Sequence, residues 1–480
     1  MRKFRTLLLM LSIGLTASTI VLAQTQFRRS PLQRQSNGSR FEGSALSDQS
    51  VIGGGLGLTW IDGEPYYLIS FQPELAFGNF GVGLDVNFRI SSKDQKLRSV
   101  DFDEGYDYLR LIRYLRYGHK GEDVYARLGV LDYARLGHGS IMYLYNNSPV
   151  YDERRLGSEV DLNFGNFGFE TVYSDFARSG VIGARGHVMP LQYTDLAEIP
   201  VLGKLELGAT YAVDTRKDSR DTSVQFISNP VPGGIPIAKK MENGALSIIG
   251  FDLGLPIIRT GIVSSTLYFD YAKIVDFGSG TSLGLELNFN GLGLVNIASR
   301  FERRWQGDRY IPAYFDAFYE VERYNLYNPQ TPLRPGDAYT GSFSSKAQYL
   351  NSLVSPGPGY FGDLLVDVLG FIQVRGMYSK FDKIDTSGTM HLGTGLGNKI
   401  PMIHAEAGYD KRLIKSTKDA FTLDDRSLLY AELGYKPYPF MIISALYTWT
   451  FKPVTDVRGN INYATEKRIT PKVSFVFPIQ

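Results

Sequence analysis

The chain has 480 residues, and its 51 Lys and Arg against 49 Asp and Glu leave a formal charge of +2. That balance argues against a chain built to hold nucleic acid, and the absence of cysteine removes disulfide frameworks, thiol catalysis and cysteine-ligated metal. With 31 Tyr, 29 Phe and 51 Gly, the composition suits strands and tight turns better than helices.

In chain order, the first element is a basic start at Arg2, Lys3 and Arg5. An apolar run over 7–15 comes next, and Val21-Leu22-Ala23 stands before Gln24. This order predicts a secretory signal peptide over 1–23. The competing reading is a membrane anchor, but Ser12, Thr16, Ser18 and Thr19 break the apolar stretch and it is short for a span. No cysteine follows the cleavage point, so a lipid-anchored lipoprotein is excluded. Residues 24–50 are polar and turn-rich, with Arg28, Arg29, Arg34 and Arg40, and read as a flexible arm. Beyond them no run of about twenty apolar residues occurs, which rules out a helical membrane protein. The longest candidate, 441–449, is half that length.

Apolar and polar residues instead alternate along the chain. Over 82–90, Val82, Leu84, Val86, Phe88 and Ile90 share one face, opposite Gly83, Asp85, Asn87 and Arg89. Residues 204–211 set Leu205, Leu207, Ala209 and Tyr211 against Glu206, Gly208 and Thr210. Over 282–290 the apolar set is Leu283, Leu285, Leu287 and Phe289, and 403–409 and 429–435 repeat the pattern. Period two means strands with one apolar face. Their connections alternate between short and long. Phe77-Gly78-Asn79-Phe80-Gly81, Phe164-Gly165-Asn166-Phe167-Gly168 and the looser Phe289-Asn290-Gly291-Leu292-Gly293 are tight turns. Residues 91–105, 135–157 and 176–203 read as long polar loops, whereas 275–280 is short where a long one is expected. The stretch 325–359 carries too many prolines for a central strand. It reads as a long outer loop, either solvated or folded into the lumen.

These features together resemble Gram-negative outer-membrane β-barrels, porins in the broad sense, over nearly all of the chain that remains after the signal peptide. The resemblance implies an all-β fold: a single antiparallel transmembrane barrel of roughly 14 to 18 strands over 51–480. Short periplasmic turns, long outer loops and a place in the outer membrane among lipid and lipopolysaccharide go with it. It also implies insertion by the barrel-assembly machinery, and is compatible with a homo-oligomer. The C-terminus departs from the usual aromatic ending: Val473, Phe475 and Phe477 alternate, but Pro478-Ile479-Gln480 come after them.

No catalytic constellation emerges. His138 and Ser140 lie together in Leu136-Gly137-His138-Gly139-Ser140, but sequence neighbours rarely form a nucleophile–base pair. His404 and Glu406 share a polar face without a third metal ligand, and the glycines at 53–57 lack the Lys-Ser/Thr of a phosphate loop. No enzyme, cofactor or metal is therefore expected. Charge placement says more. If the apolar face meets lipid, parity turns Arg110, Arg116, Arg127 and Arg135 inward as one basic wall, with Arg113 on the lipid side. Elsewhere it turns Glu74, Asp85, Asp161, Glu170, Glu206, Asp270 and Glu286 inward. Segregated charge in a low-dielectric wall focuses potential across a pore, and predicts passive diffusion of small polar or ionic solutes. The alternatives are a structural or secretion-accessory barrel whose lumen is filled by cross-strand ion pairs, or an outer-membrane enzyme.

Overall fold

A computed structural model of the chain describes residues 50–479, apart from 62–63, 132–133, 150–154, 218, 221, 228–236, 243, 292–293, 324–345, 370, 397–399 and 456–460. The signal-peptide segment, all of the N-terminal arm except Ser50, and most of the proline-rich loop lie outside them. The described strands form a closed antiparallel barrel of 20 strands, more than the spacing of the alternating runs suggests. Phe80–Leu84 and Val86–Ser91 count as one strand, because both pair with Glu64–Phe77 across a break at Asp85. Around the barrel each strand pairs with its neighbours in sequence. The first, Ser50–Ile61, closes the cylinder by also pairing with the last, Ile461–Ile479.

The undercount has a physical cause. Val181–Val188 is a barrel strand inside the stretch read as the loop 176–203. Its inward positions are Val181, Gly183, Arg185 and His187, and its outward ones are Ile182, Ala184, Gly186 and Val188. Glycines on both faces and an apolar residue on the inner one erase the two-residue signal. At the end of the stretch read as the loop 325–359, Gly357 and Pro358 already pair in the strand Gly357–Val368, where proline is tolerated at a strand start.

Outward parity holds where alternation was clean. Leu283, Leu285 and Leu287 are 44%, 39% and 39% exposed, while Glu286 between them is 5% exposed. The exposed rings Phe77, Phe80, Phe164, Phe167, Tyr438, Phe440 and Phe477 gather at the rim of the short turns, where Phe164 stacks on Phe167 and Phe440 on Phe477. An apolar wall bounded by aromatic rings is what a barrel meeting lipid on all sides requires.

The turns at Asn79 and Asn166 share one rim with Ser50 and Ile479, and Pro356 lies at the opposite rim. Pro332 is outside the described residues. With the short turns facing the periplasm, cysteines placed at 79 and 166 should escape an impermeant thiol reagent on intact cells, and one at 356 should react. The reverse pattern would invert the orientation.

Two connections of the long-loop rim fold into the lumen. Residues 134–149 form an irregular hairpin, with Ala134 and Tyr145 exchanging backbone hydrogen bonds of 2.9 and 3.0 Å. This hairpin borrows a partner from the second connection: Tyr143 N donates to Phe315 O at 3.1 Å, and Phe315 N to Ile141 O at 3.2 Å. The backbone groups carried into the lumen are thereby satisfied. Leu136, Ile141, Met142, Tyr145 and Phe315 then pack on wall residues such as Val181, Ala212, Ile248 and Ala272 to form an apolar cluster inside the barrel. The inward connection is thus 134–149 with 310–323. The described part of 325–359 contributes the short helix Lys346–Ser352, whose Ala347 and Leu350 join the same cluster.

Candidate functional site

Below the apolar cluster the lumen is ionic. Its hub is Arg185, 3% exposed on its side chain. Cross-strand register puts Glu170 directly opposite it on one neighbouring strand and Thr210 on the other. Arg185 donates to Glu170 at 2.9 Å, to Glu206 at 2.8 Å, and to both oxygens of Asp252 at 2.9 and 2.5 Å. Asp252 reaches this position because Gly208 opposite it has no side chain; a Cβ there would collide with the carboxylate. A single guanidinium therefore serves three carboxylates, the arrangement that arginine's fork of donors permits.

The inward hairpin is tied to the wall by polar contacts around this hub. Gly137 N donates to Glu170 at 2.9 Å, Arg135 pairs with Glu286 at 3.3 Å, and Arg300 donates to the carbonyl of His138. On the far side, the Tyr143 hydroxyl donates to Asp363, and Arg375 bonds both of them at 3.0 Å. The His138 ring stacks on Tyr268, centroids 4.0 Å apart and planes 5° from parallel. Tyr268 in turn lies over Gly284, where a Cβ would collide with its ring. The His138 nitrogens stand 3.9 Å from Asp252 and 3.9 Å from Glu286, too far for hydrogen bonds, and neither makes one elsewhere.

The four arginines expected to share one wall do not. Arg110 ends the short helix Gly105–Leu109 and pairs with Asp107, because the strand starts only at Ile112. Arg116 and Arg127 do face each other across their strands, with Glu159 opposite Arg127. Arg135 belongs to the inward hairpin, since the strand Val124–Gly129 stops short of it and parity does not carry through irregular chain. Arg113, assigned to lipid by parity, is turned inward by a register shift between Gly83 and Leu84, and pairs with Glu74.

The acidic positions sit on the inner face, each close to a polar or cationic group. Asp85 accepts from Gln72 at 2.8 Å and Asn87 at 2.7 Å, and Asp161 lies 3.9 Å from Lys120. Glu170 and Glu206 serve Arg185, Glu286 serves Arg135, and Asp270 lies beside His138. The charges are therefore interleaved instead of segregated by sign. Arg185, Asp252, Arg300, Asp363 and Arg375 escaped the sequence reading, because parity names no partner, whether near in the chain, as for Arg375 and Asp363 12 residues apart, or distant, as for Arg185 and Asp252 67 residues apart. Only the alternation of Glu302 and Arg304 and of Asp363 and Leu365 could have flagged inward charge there. The pairing of His138 with Ser140 finds no support, since neither His138 nitrogen bonds to it.

No family model and no curated protein matches the chain. Among solved structures, OccK11 (OpdR) of Pseudomonas aeruginosa is similar at 10% identity over 90% of this chain and 96% of that one, with a TM-score of 0.29. The ferric enterobactin receptor PfeA of the same organism gives 10% identity, 89% and 81% coverage, and a TM-score of 0.31. OccAB4 of Acinetobacter baumannii gives 11% identity, 90% and 97% coverage, and a TM-score of 0.28. At these scores no residue correspondence can be drawn. The architecture speaks for itself: a closed antiparallel cylinder, apolar and ringed with aromatics outside and ionic within, is an outer-membrane β-barrel of the Gram-negative type.

Proposed function

We propose that this barrel is an outer-membrane channel for small polar or ionic solutes, narrowed by its inward hairpin. The observation that carries the reading is how that hairpin is held. Its attachments through Arg135, Gly137, His138 and Tyr143 are ion pairs and hydrogen bonds to a charged wall. Water and passing ions can compete for such contacts, and charge of both signs in a narrow passage selects among solutes by electrostatics. The apolar cluster around Met142 and Phe315 favours a second reading, a filled barrel with a structural or secretion-accessory role. Nothing in the ionic hub calls for an enzymatic reading.

Planar-bilayer recording separates the two. The purified wild-type protein should pass current in small steps. Replacing Ile141 and Met142 with serine unseats the hairpin from its apolar seat and should raise the unit conductance. A protein that inserts yet passes no current, with or without the substitutions, is a filled barrel.

A further inference from the structure

The geometry points to a divalent-cation site formed by His138, Asp252 and Asp270, which pins the inward hairpin to the barrel wall. The three residues come from three elements: the hairpin, the strand Leu246–Arg259 and the strand Val263–Ile274. Asp252 and Asp270 stand directly opposite one another in the antiparallel ladder, a pair of like charges of which Arg185 bonds only Asp252. His138 Nε2 approaches Asp252 Oδ1 at 3.9 Å, and one ligand atom from each residue falls within 4.8 Å of the others. A metal bonded at about 2.0–2.2 Å holds its ligands about 3–4 Å apart, so a small contraction of this set would close a shell.

Two further observations point to a ligand. Asp270 is 2% exposed, yet its Oδ1 makes no hydrogen bond, and His138, 10% exposed on its side chain, leaves both ring nitrogens without one. Buried polar atoms are rarely left so. They line a cavity of about 10 Å³ together with Asp252, room for a single water-sized occupant. Arg185, through its bonds to both Asp252 oxygens, fixes the orientation of that carboxylate as an outer-shell partner does. One imidazole with two carboxylates suits zinc, manganese or iron better than calcium, which prefers a larger all-oxygen shell. The site stands independently of whether the lumen conducts.

Titration calorimetry of the full-length protein, stripped with chelator and folded in detergent, tests this with zinc alone. The wild type should bind one equivalent. Asp270→Asn and His138→Gln should each weaken binding about tenfold or more, while Asp161→Asn, away from the cluster, should bind as the wild type does. Heat-modifiable migration on gels reports that each variant has folded. A folded wild type that takes up no zinc, or folded D270N and H138Q that bind it as tightly as the wild type, would overturn the assignment. If a variant does not fold, the wild-type stoichiometry and the remaining variant decide.

Discussion

Replacing Arg185 with alanine should destabilise the folded barrel by about 3–5 kcal/mol, the cost of stripping a buried ion cluster of the cation bonded to all three of its carboxylates. The guanidinium donates to Glu170, Glu206 and Asp252, and all three carboxylates are largely shielded from water. Removing the arginine leaves them facing each other across a low-dielectric gap. Their remaining routes to relief are protonation or admission of water, and either disturbs the hairpin, because Glu170 also accepts from Gly137 N. Arg185→Lys retains the charge but loses the fork that reaches three partners, so it should recover only part of the loss. Unfolding titrations of protein inserted in lipid vesicles measure both variants. A loss for Arg185→Ala below about 1 kcal/mol, the range of an exposed pair, would mean that the cluster is fully hydrated.

The second large effect compares neighbours on one strand. Leu285→Arg should cost about 2–4 kcal/mol if that position lies near the bilayer midplane, because the charge enters hydrocarbon. Parity alone makes Glu286→Arg cheap, since a lumen side chain meets water. The structure reverses that expectation: Glu286 is 5% exposed, pairs with Arg135, and stands across the ladder from Arg300. An arginine there brings three cations together, and its penalty should match or exceed that at 285. The two costs have separable causes. Removing Arg135 as well should relieve much of the penalty at 286 and none of that at 285, a coupling that a double-mutant cycle measures directly. A Glu286→Arg variant nearly as stable as wild type would show the hairpin away from the wall in solution.

How far the fold could be read from sequence depended on which face of each strand carried the signal. Where lipid-facing leucines alternated with polar residues, as at 283–289, both strand and orientation were legible. Where glycine occupied both faces, as at Gly183 and Gly186, the strand disappeared into a supposed loop. The aromatic turns around Asn79 and Asn166 marked one rim because Gly78 and Gly165 take positive φ there, a local demand that sequence states openly. The candidate site was far less legible. Parity places a charge on the inner face but says nothing of its partner, and a single bulge at Arg113 was enough to reverse one assignment. His138, Asp252 and Asp270 meet only because an irregular connection folds inward and lies against two strands more than a hundred residues later. No periodicity encodes that.

Closure of the cylinder bears on how such a chain reaches its final form. Barrel strands otherwise hydrogen-bond to near neighbours in the chain, so those ladders can zip locally and early. The ladder between Ser50–Gly57 and Lys472–Ile479 alone joins the two ends of the described chain, and it closes the longest loop in the barrel. Glycines crowd the first partner of this seam: at Gly55 and Gly57 a Cβ would run into the backbone of the last strand. Completion of the barrel is thus deferred until the C-terminal residues are in hand, and a chain ending before them keeps two unpaired edges open to other strands.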